Sequence, residues 1–156
     1  MRLPPRATYR VQLREEFDFD DAALLVPYLA ALGLSHLYCS PYMQAAAHSS
    51  HGYDVVDPTR ISDELGGEAG LHRLNDALVD AHMGQLLDIV PNHMCISDRA
   101  NAWWWDVLRT GRECRFATFF DIDWDAPTTD GRTAPPVPPP PPHPVAPAGD
   151  PQCRRA

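Results

Sequence analysis

Apolar positions recur along the chain in two alternating rhythms. ATYRVQL (Ala7 to Leu13) alternates and is rich in β-formers, which predicts a strand. FDFDDAALLVPYLAALGL then sets Leu24, Leu25, Tyr28, Leu29 and Leu32 at helical spacing, with Asp18 or Asp20 as the N-cap and Gly33 as the stop. Pro27 falls inside that pattern, where it fits only in a first turn or at a kink. SHLYCSP predicts a short second strand ended by Pro41. From Tyr42 to Gly67 neither rhythm holds, so this stretch reads as a long connection. In a compact domain a loop beyond about 12–15 residues is usually functional or disordered. EAGLHRLNDALVDAHMG restores helical spacing through Leu71, Leu74, Leu78 and Ala81, with Gly84 as its stop, and QLLDIVPNH predicts a third strand. AWWWDVLRTG is a short helix ended by Gly111, and RFATFFDIDW is an aromatic run with no assignable period.

Strands and helices that alternate in this way predict a parallel sheet with right-handed crossovers. A doubly wound sheet would place a Gly-rich phosphate loop after its first strand, and QLREEFDF contains none. A (β/α)8 barrel places function at the C-terminal ends of its strands, where DIVPNH has its polar corner. The expected fold is therefore α/β: an incomplete N-terminal portion, about three β/α units, of a (β/α)8 TIM barrel.

Composition then divides the chain. Of its 17 prolines, 11 lie between Pro127 and Pro151, in a stretch with almost no large apolar residue. Such a segment cannot bury enough surface to offset its ordering entropy, so residues 126–156 are expected to be a disordered Pro-rich tail and residues 1–125 the barrel portion. The net charge of −8 and the lack of a basic stripe argue against a nucleic-acid partner. No window approaches a membrane span and MRLPPRATYRVQL holds no signal-peptide core, which predicts a cytoplasmic soluble protein. Cys39, Cys95, Cys114 and Cys153 form no CxxC pair and are read as free thiols.

Two clusters carry candidate chemistry. In DIVPNH, Pro91 would end the strand and deliver Asn92 and His93 to the barrel mouth, while Asp88 lies deeper and must find partners. The plainer alternative is a strand end with a satisfied core carboxylate and a Pro-Asn turn. In HGYDVVDP, a Gly beside an aromatic suits a tyrosine laid against a sugar ring, with Asp54 and Asp57 as hydroxyl acceptors. A loop folded on its own Tyr53 fits the same residues. His48 and His51 are three apart but lack a supporting ligand set, so no metal is assigned. Trp103, Trp104 and Trp105 cannot all face one core on a helix; they suit either a sugar platform or packing between layers.

TYRVQL, LGLSHLYCSP, HGYDVVDPTRISDELGG, LLDIVPNHM, AWWWDVL and FFDIDW, in this order, resemble the N-terminal part of the maltooligosyltrehalose synthases, a branch of the α-amylase superfamily of glycoside hydrolases. The resemblance covers residues 7 to about 125. It implies an intramolecular transglucosylation that turns the reducing-end α-1,4 bond of a maltooligosaccharide into an α,α-1,1 bond, with no cofactor consumed. It implies that His93 hydrogen-bonds the sugar, that Tyr53 stacks on it, that Asp88 and Asn92 support that subsite, and that His51 and Asp54 shape its loop. It gives no reason to demand calcium. The retaining mechanism needs a nucleophilic Asp and an acid/base Glu from later strands, and neither is expected in this chain. The abrupt change at TAPPVPPPPPHP, in a chain with Arg but no Lys, is expected from a shifted reading frame in a GC-rich gene. The other functional reading is a non-catalytic module that binds oligosaccharide, or one that uses the Pro-rich stretch as a PPII ligand.

Overall fold

Residues 4–126 are described in a computed structural model of the chain. They fall into two units, divided in sequence between Cys95 and Ile96. In chain order the first unit carries β1 (Thr8–Val11), α1 (Phe19–Ala31), β2 (His36–Cys39), β3 (Met43–Ala45), β4 (Val55–Ile61), α2 (Gly67–Asp80) and β5 (Gly84–Leu87). A parallel sheet in the order β1-β2-β5 sets Thr8 opposite His36 and His36 opposite Gly84, with α1 and α2 as the crossovers.

Alternation along the strands gives the sheet two different faces. On one, Val11, Leu13, Leu37 and Cys39 are buried with Phe19, Ala22, Val26 and Leu29 of α1 and with Leu74 and Leu78 of α2. Fully burying a Leu or Phe side chain contributes roughly 1.5–3 kcal/mol, so this layer is what holds the unit together. Tyr42 closes it, edge-on to Phe19 at 5.5 Å, and burial, reinforced by Cys39, pushes its phenol up to about 12. The other face carries Arg10, Gln12 and Tyr38 at the alternate positions.

Of the two candidate caps of α1, Asp18 is the one used. Its Oδ1 accepts the N–H groups of Asp20 and Asp21, and Asp21 returns a bond to the Asp18 N–H, which closes a capping box. Gly33, at φ +83°, ends the helix as expected. The expected apolar stripe is corrected in part. Leu29 is buried, but Leu24, Tyr28 and Leu32 are 81, 61 and 60 % exposed, and the stripe against the sheet is Phe19, Ala22, Val26 and Leu29. The helix is apolar on nearly every side, so hydrophobicity alone could not orient it. Pro27 stands mid-helix on an exposed side, where solvent can reach the carbonyl it leaves without a donor.

The end of α2 is also corrected. Its C-cap is Ala81, followed by His82 at φ +54°, whose N–H donates to Val79 O at 3.0 Å, and Met83 N–H donates to Leu78 O at 2.9 Å. Gly84 instead opens β5 directly beside His36, where a Cβ would lie 2.4 Å from the imidazole. The third strand is shorter than expected and ends at Leu87. Leu87 and Ile89 are 50 and 67 % exposed, because among the described residues β5 pairs only with β2.

The stretch 42–67 is not a bare connection. β3 and β4 pair antiparallel, with Gln44 opposite Asp57 and Ala45 opposite Val55. Pro58 and the run of polar residues in DPTR hid β4 from the pattern.

The second unit carries α3 (Ala102–Thr110). Asn101 caps it by accepting the Trp104 N–H at 3.0 Å, and Gly111 at φ +74° ends it as expected. Two 3₁₀ turns, Gly111–Glu113 and Ala117–Phe119, fold the aromatic run back. Trp104, Phe116, Phe120, Ile122 and Trp124 then pack on Val107, Cys114 and Ala117. Trp103 stacks on Phe116 at 5.1 Å and Trp105 lies under the Arg99 guanidinium at 4.8 Å. Trp103 and Trp104 thus spend their rings on packing, while Trp105 stays half-buried. Cys39 and Cys114 are buried free thiols, and Cys95 is buried. Cys153 and the Pro-rich stretch lie outside the described residues.

Candidate functional site

The polar face of the sheet organises the site. Arg10 of β1 and Tyr38 of β2 are register partners, and the guanidinium lies over the phenol ring at 5.5 Å. One residue beyond β5, Asp88 donates its N–H to Cys39 O at 3.2 Å, which carries the pairing with β2 one step past the strand. Its carboxylate, 18 % exposed, would be expensive to leave unpaired. Asp88 Oδ2 accepts the Tyr53 hydroxyl at 2.5 Å and the Tyr38 hydroxyl at 3.3 Å, with Arg10 Nη2 3.7 Å away. Arg10 Nη2 also donates to the Tyr53 hydroxyl oxygen at 3.0 Å. The hydrogen bond that Asp88 accepts from the Tyr53 hydroxyl, followed by burial, raises that phenol above its ordinary value, against a smaller opposing pull from Arg10.

Tyr53 arrives at this point on a loop built to deliver it. Gly52 takes φ +77°, and a Cβ there would sit 2.4 Å from Pro41 O, so only glycine lets the loop pass over that carbonyl. The Ser49 hydroxyl accepts the Gly52 N–H at 3.0 Å and donates to Asp54 Oδ1. The Tyr53 N–H donates to His51 Nδ1 at 3.0 Å, and the Ala46 N–H closes the loop on Asp54 O at 3.0 Å. Gln12, one residue past β1, holds the near side of the loop, donating to His51 O at 3.1 Å. On the far side His93 Nε2 lies 3.1 Å from Tyr53 O. A carbonyl only accepts, so that nitrogen carries a proton. His93 Nδ1 faces the Asn92 amide at 3.1 Å, and the Cys95 N–H bonds Val55 O at 2.8 Å, which ties the turn after His93 to β4.

Of the six expected site residues, Tyr53, Asp88, Asn92 and His93 meet in one hydrogen-bonded network. His51 and Asp54 stand one step behind and shape the loop. Asp57 does not join them. Its carboxylate is taken by the Thr59 N–H at 2.9 Å, the Thr59 hydroxyl at 2.6 Å and Arg60 at 3.2 Å. Arg10, Gln12 and Tyr38 were missed, although alternation in TYRVQL puts Arg10 and Gln12 on one face of a strand whose other face is apolar. His48 and His51 do not act as a pair. His48 Nδ1 bonds Glu15 at 2.9 Å and its N–H bonds Glu64 at 3.0 Å, so that Glu15, His48 and Glu64 offer donors within 4.8 Å of one another. Those internal bonds by themselves account for the cluster, and nothing further points to an ion there.

The arrangement fixes an aromatic ring at both its hydroxyl and its carbonyl ends, beside exposed Asn92 and His93. A rigid ring rimmed by planar polar groups suits the apolar face of a pyranose. Asp88 Oδ2 is already engaged by two phenols, which fits a positioning carboxylate better than a proton-transferring one.

Residues 23–138 match the family model described as alpha amylase, catalytic domain. A Mycobacterium tuberculosis protein named "Putative maltooligosyl trehalose synthase" is 50 % identical over 143 residues, 88 % of this chain and 18 % of that protein. The structure of maltooligosyltrehalose synthase from Arthrobacter ramosus is 49 % identical with a TM-score of 0.75, over 77 % of this chain and 16 % of that one. The trehalulose synthase MUTB, at 22 % identity and a TM-score of 0.62, shares the fold. The chain thus spans under a fifth of the length of the maltooligosyltrehalose synthases it matches. No helix among the described residues is long and apolar enough to cross a membrane. With a parallel β/α sheet, a polar cluster at the ends of its strands and a family model matched over most of its length, the chain belongs to the α-amylase catalytic-domain family.

Proposed function

We propose that this chain forms the substrate-contacting start of a maltooligosyltrehalose-forming enzyme. The reaction is an intramolecular transglucosylation by a retaining mechanism: the terminal α-1,4 bond of a maltooligosaccharide is broken and an α,α-1,1 bond is formed. The observation that carries the reading is Tyr53, held by Asp88 and Arg10 at its hydroxyl and by His93 at its carbonyl, on a chain 50 % identical to a relative of that name. In this proposal Tyr53 stacks on one glucosyl ring, and His93 and Asn92 exchange their present contacts for its hydroxyls. Asp88 keeps the Tyr53 ring at its angle. The nucleophile and acid/base, about 5–5.5 Å apart in retaining enzymes, come from outside these β/α units. Isolated, the chain binds maltooligosaccharide without turnover.

A chimaera tests this. Residues 7–125 replace the matching segment of the Mycobacterium tuberculosis relative, and the products from maltopentaose are separated by chromatography. Trehalose-terminated product is expected, and Tyr53→Ala in the chimaera should cost about 10²-fold or more in kcat/KM, as a misplaced reacting sugar does. A folded chimaera that releases only glucose or maltose would overturn the trehalose-forming assignment.

A further inference from the structure

We propose that Arg10 of β1 and Gln12, one residue past its end, are the positioning pair of the carbohydrate subsite: they lock the 48–54 loop onto the sheet so that the Tyr53 ring is presented at a fixed angle. The inference rests on the reading of Tyr53 as the sugar-stacking residue, but its structural half stands independently of it.

The geometry is a closed circuit. Arg10 Nη1 donates to Gln12 Oε1 at 3.1 Å, and Gln12 Nε2 donates onward to His51 O at 3.1 Å and to Leu13 O at 3.3 Å. Arg10 Nη2 donates to the Tyr53 hydroxyl at 3.0 Å. Arg10 and Gln12 therefore grip the loop at two points, the His51 carbonyl and the Tyr53 phenol. A guanidinium can do this because its donors diverge in a fixed plane; an ammonium at the same place has no such fork. The charge also matters. The Tyr53 hydroxyl donates a hydrogen bond to Asp88 Oδ2 at 2.5 Å, which polarises the phenol oxygen as an acceptor for Arg10. Without the cation, Asp88 would face two phenols and no opposite charge. The groups around Tyr53 are Arg10 from β1, Asp88 after β5 with Tyr38 of β2 on the same carboxylate oxygen, His93 on the Tyr53 carbonyl, and His51 on the loop itself, ring to ring at 5.9 Å. Arg10 is 38 % exposed in its side chain and contributes nothing to the apolar layer, so its replacement leaves the core intact.

The test compares the full chain with Arg10→Met, Arg10→Lys and Gln12→Ala. Two readouts are taken: the titration of the Tyr53 phenol by NMR with ¹³C-labelled tyrosine, without ligand, and the titration of each protein with maltopentaose. Arg10→Met should move the Tyr53 midpoint further up, because only the raising influence of Asp88 and burial remains, and Arg10→Lys should restore part of the shift. Gln12→Ala should leave the midpoint near its native value but speed amide exchange at Gly52 and Tyr53. Maltopentaose affinity should fall by about tenfold in Arg10→Met, the worth of one charge-assisted hydrogen bond. An unchanged Tyr53 titration in a folded Arg10→Met or Arg10→Lys chain overturns the positioning role. A Tyr53 shift as expected in a native chain that shows no response to maltopentaose supports the positioning role and overturns the carbohydrate reading alone.

Discussion

Gly52 is the residue at which the site is most easily broken without touching its chemistry. A side chain there meets both a left-handed backbone and the Pro41 carbonyl 2.4 Å away. Gly52→Ala should lower stability by about 1–2 kcal/mol for the backbone alone, with more from the clash, as read from urea unfolding. If the loop relieves the strain by moving instead, Tyr53 leaves Asp88 and its phenol titrates lower. His48 makes a second prediction, on pH. The hydrogen bond that His48 Nδ1–H donates to Glu15, then the Glu15 and Glu64 charges, raise the His48 pKa above its ordinary 6.5. A raised folded value means that the tie is fully present below the unfolded pKa and is lost as pH rises through the folded one. An NMR titration should therefore show His48 with a midpoint above 6.5, and Glu15→Gln should bring it back down. At this scale the sequence displayed Tyr53, Asp88, Asn92 and His93 because each sits in a short motif of unusual composition. It hid Tyr38, a polar-tipped aromatic in an apolar strand, whose role depends on which carboxylate the fold brings opposite it.

α1 shows where periodicity stops being informative. Its N-terminal cap and terminal glycine are local chemistry and were legible, but the choice between Asp18 and Asp20 stayed open until the bond between Asp21 and the Asp18 N–H decided it. Asp18→Ala should cost about 1 kcal/mol of stability. Its orientation depends on the sheet and was not legible, because Leu24, Tyr28 and Leu32 line up at i, i+4 spacing as well as any core stripe. Paired substitutions separate the two faces. Leu29→Ala should destabilise the unit by about 2–5 kcal/mol, whereas Leu24→Ala should fall within about 0.5 kcal/mol of the parent. Equal costs would mean that the outer face of α1 is covered. The β3–β4 hairpin was missed for the opposite reason. Its strands are irregular in register and carry Pro58, so tertiary pairing supplies what the local pattern lacks.

For the whole molecule, the parallel sheet and its crossovers followed from the order of elements alone, whereas the division at Cys95 left no compositional mark. Among the described residues β1 and β5 each have one strand partner, and Leu87 and Ile89 stand exposed beside the open edge. An unpaired edge with apolar neighbours is a template for pairing. Light scattering of the purified chain should therefore show concentration-dependent self-association, and Ile89→Lys should reduce it. A strictly monomeric chain at high concentration would mean that the edge is already protected. The same open sheet leaves the polar face accessible, which lets the central claim be tested directly. Saturation-transfer difference NMR of the full chain with maltopentaose reports which glucosyl protons lie against an aromatic ring. The account predicts a signal concentrated on one terminal glucosyl unit, abolished by Tyr53→Ala and retained in Trp105→Ala. A signal that survives Tyr53→Ala, or one that disappears with Trp105→Ala instead, would contradict it.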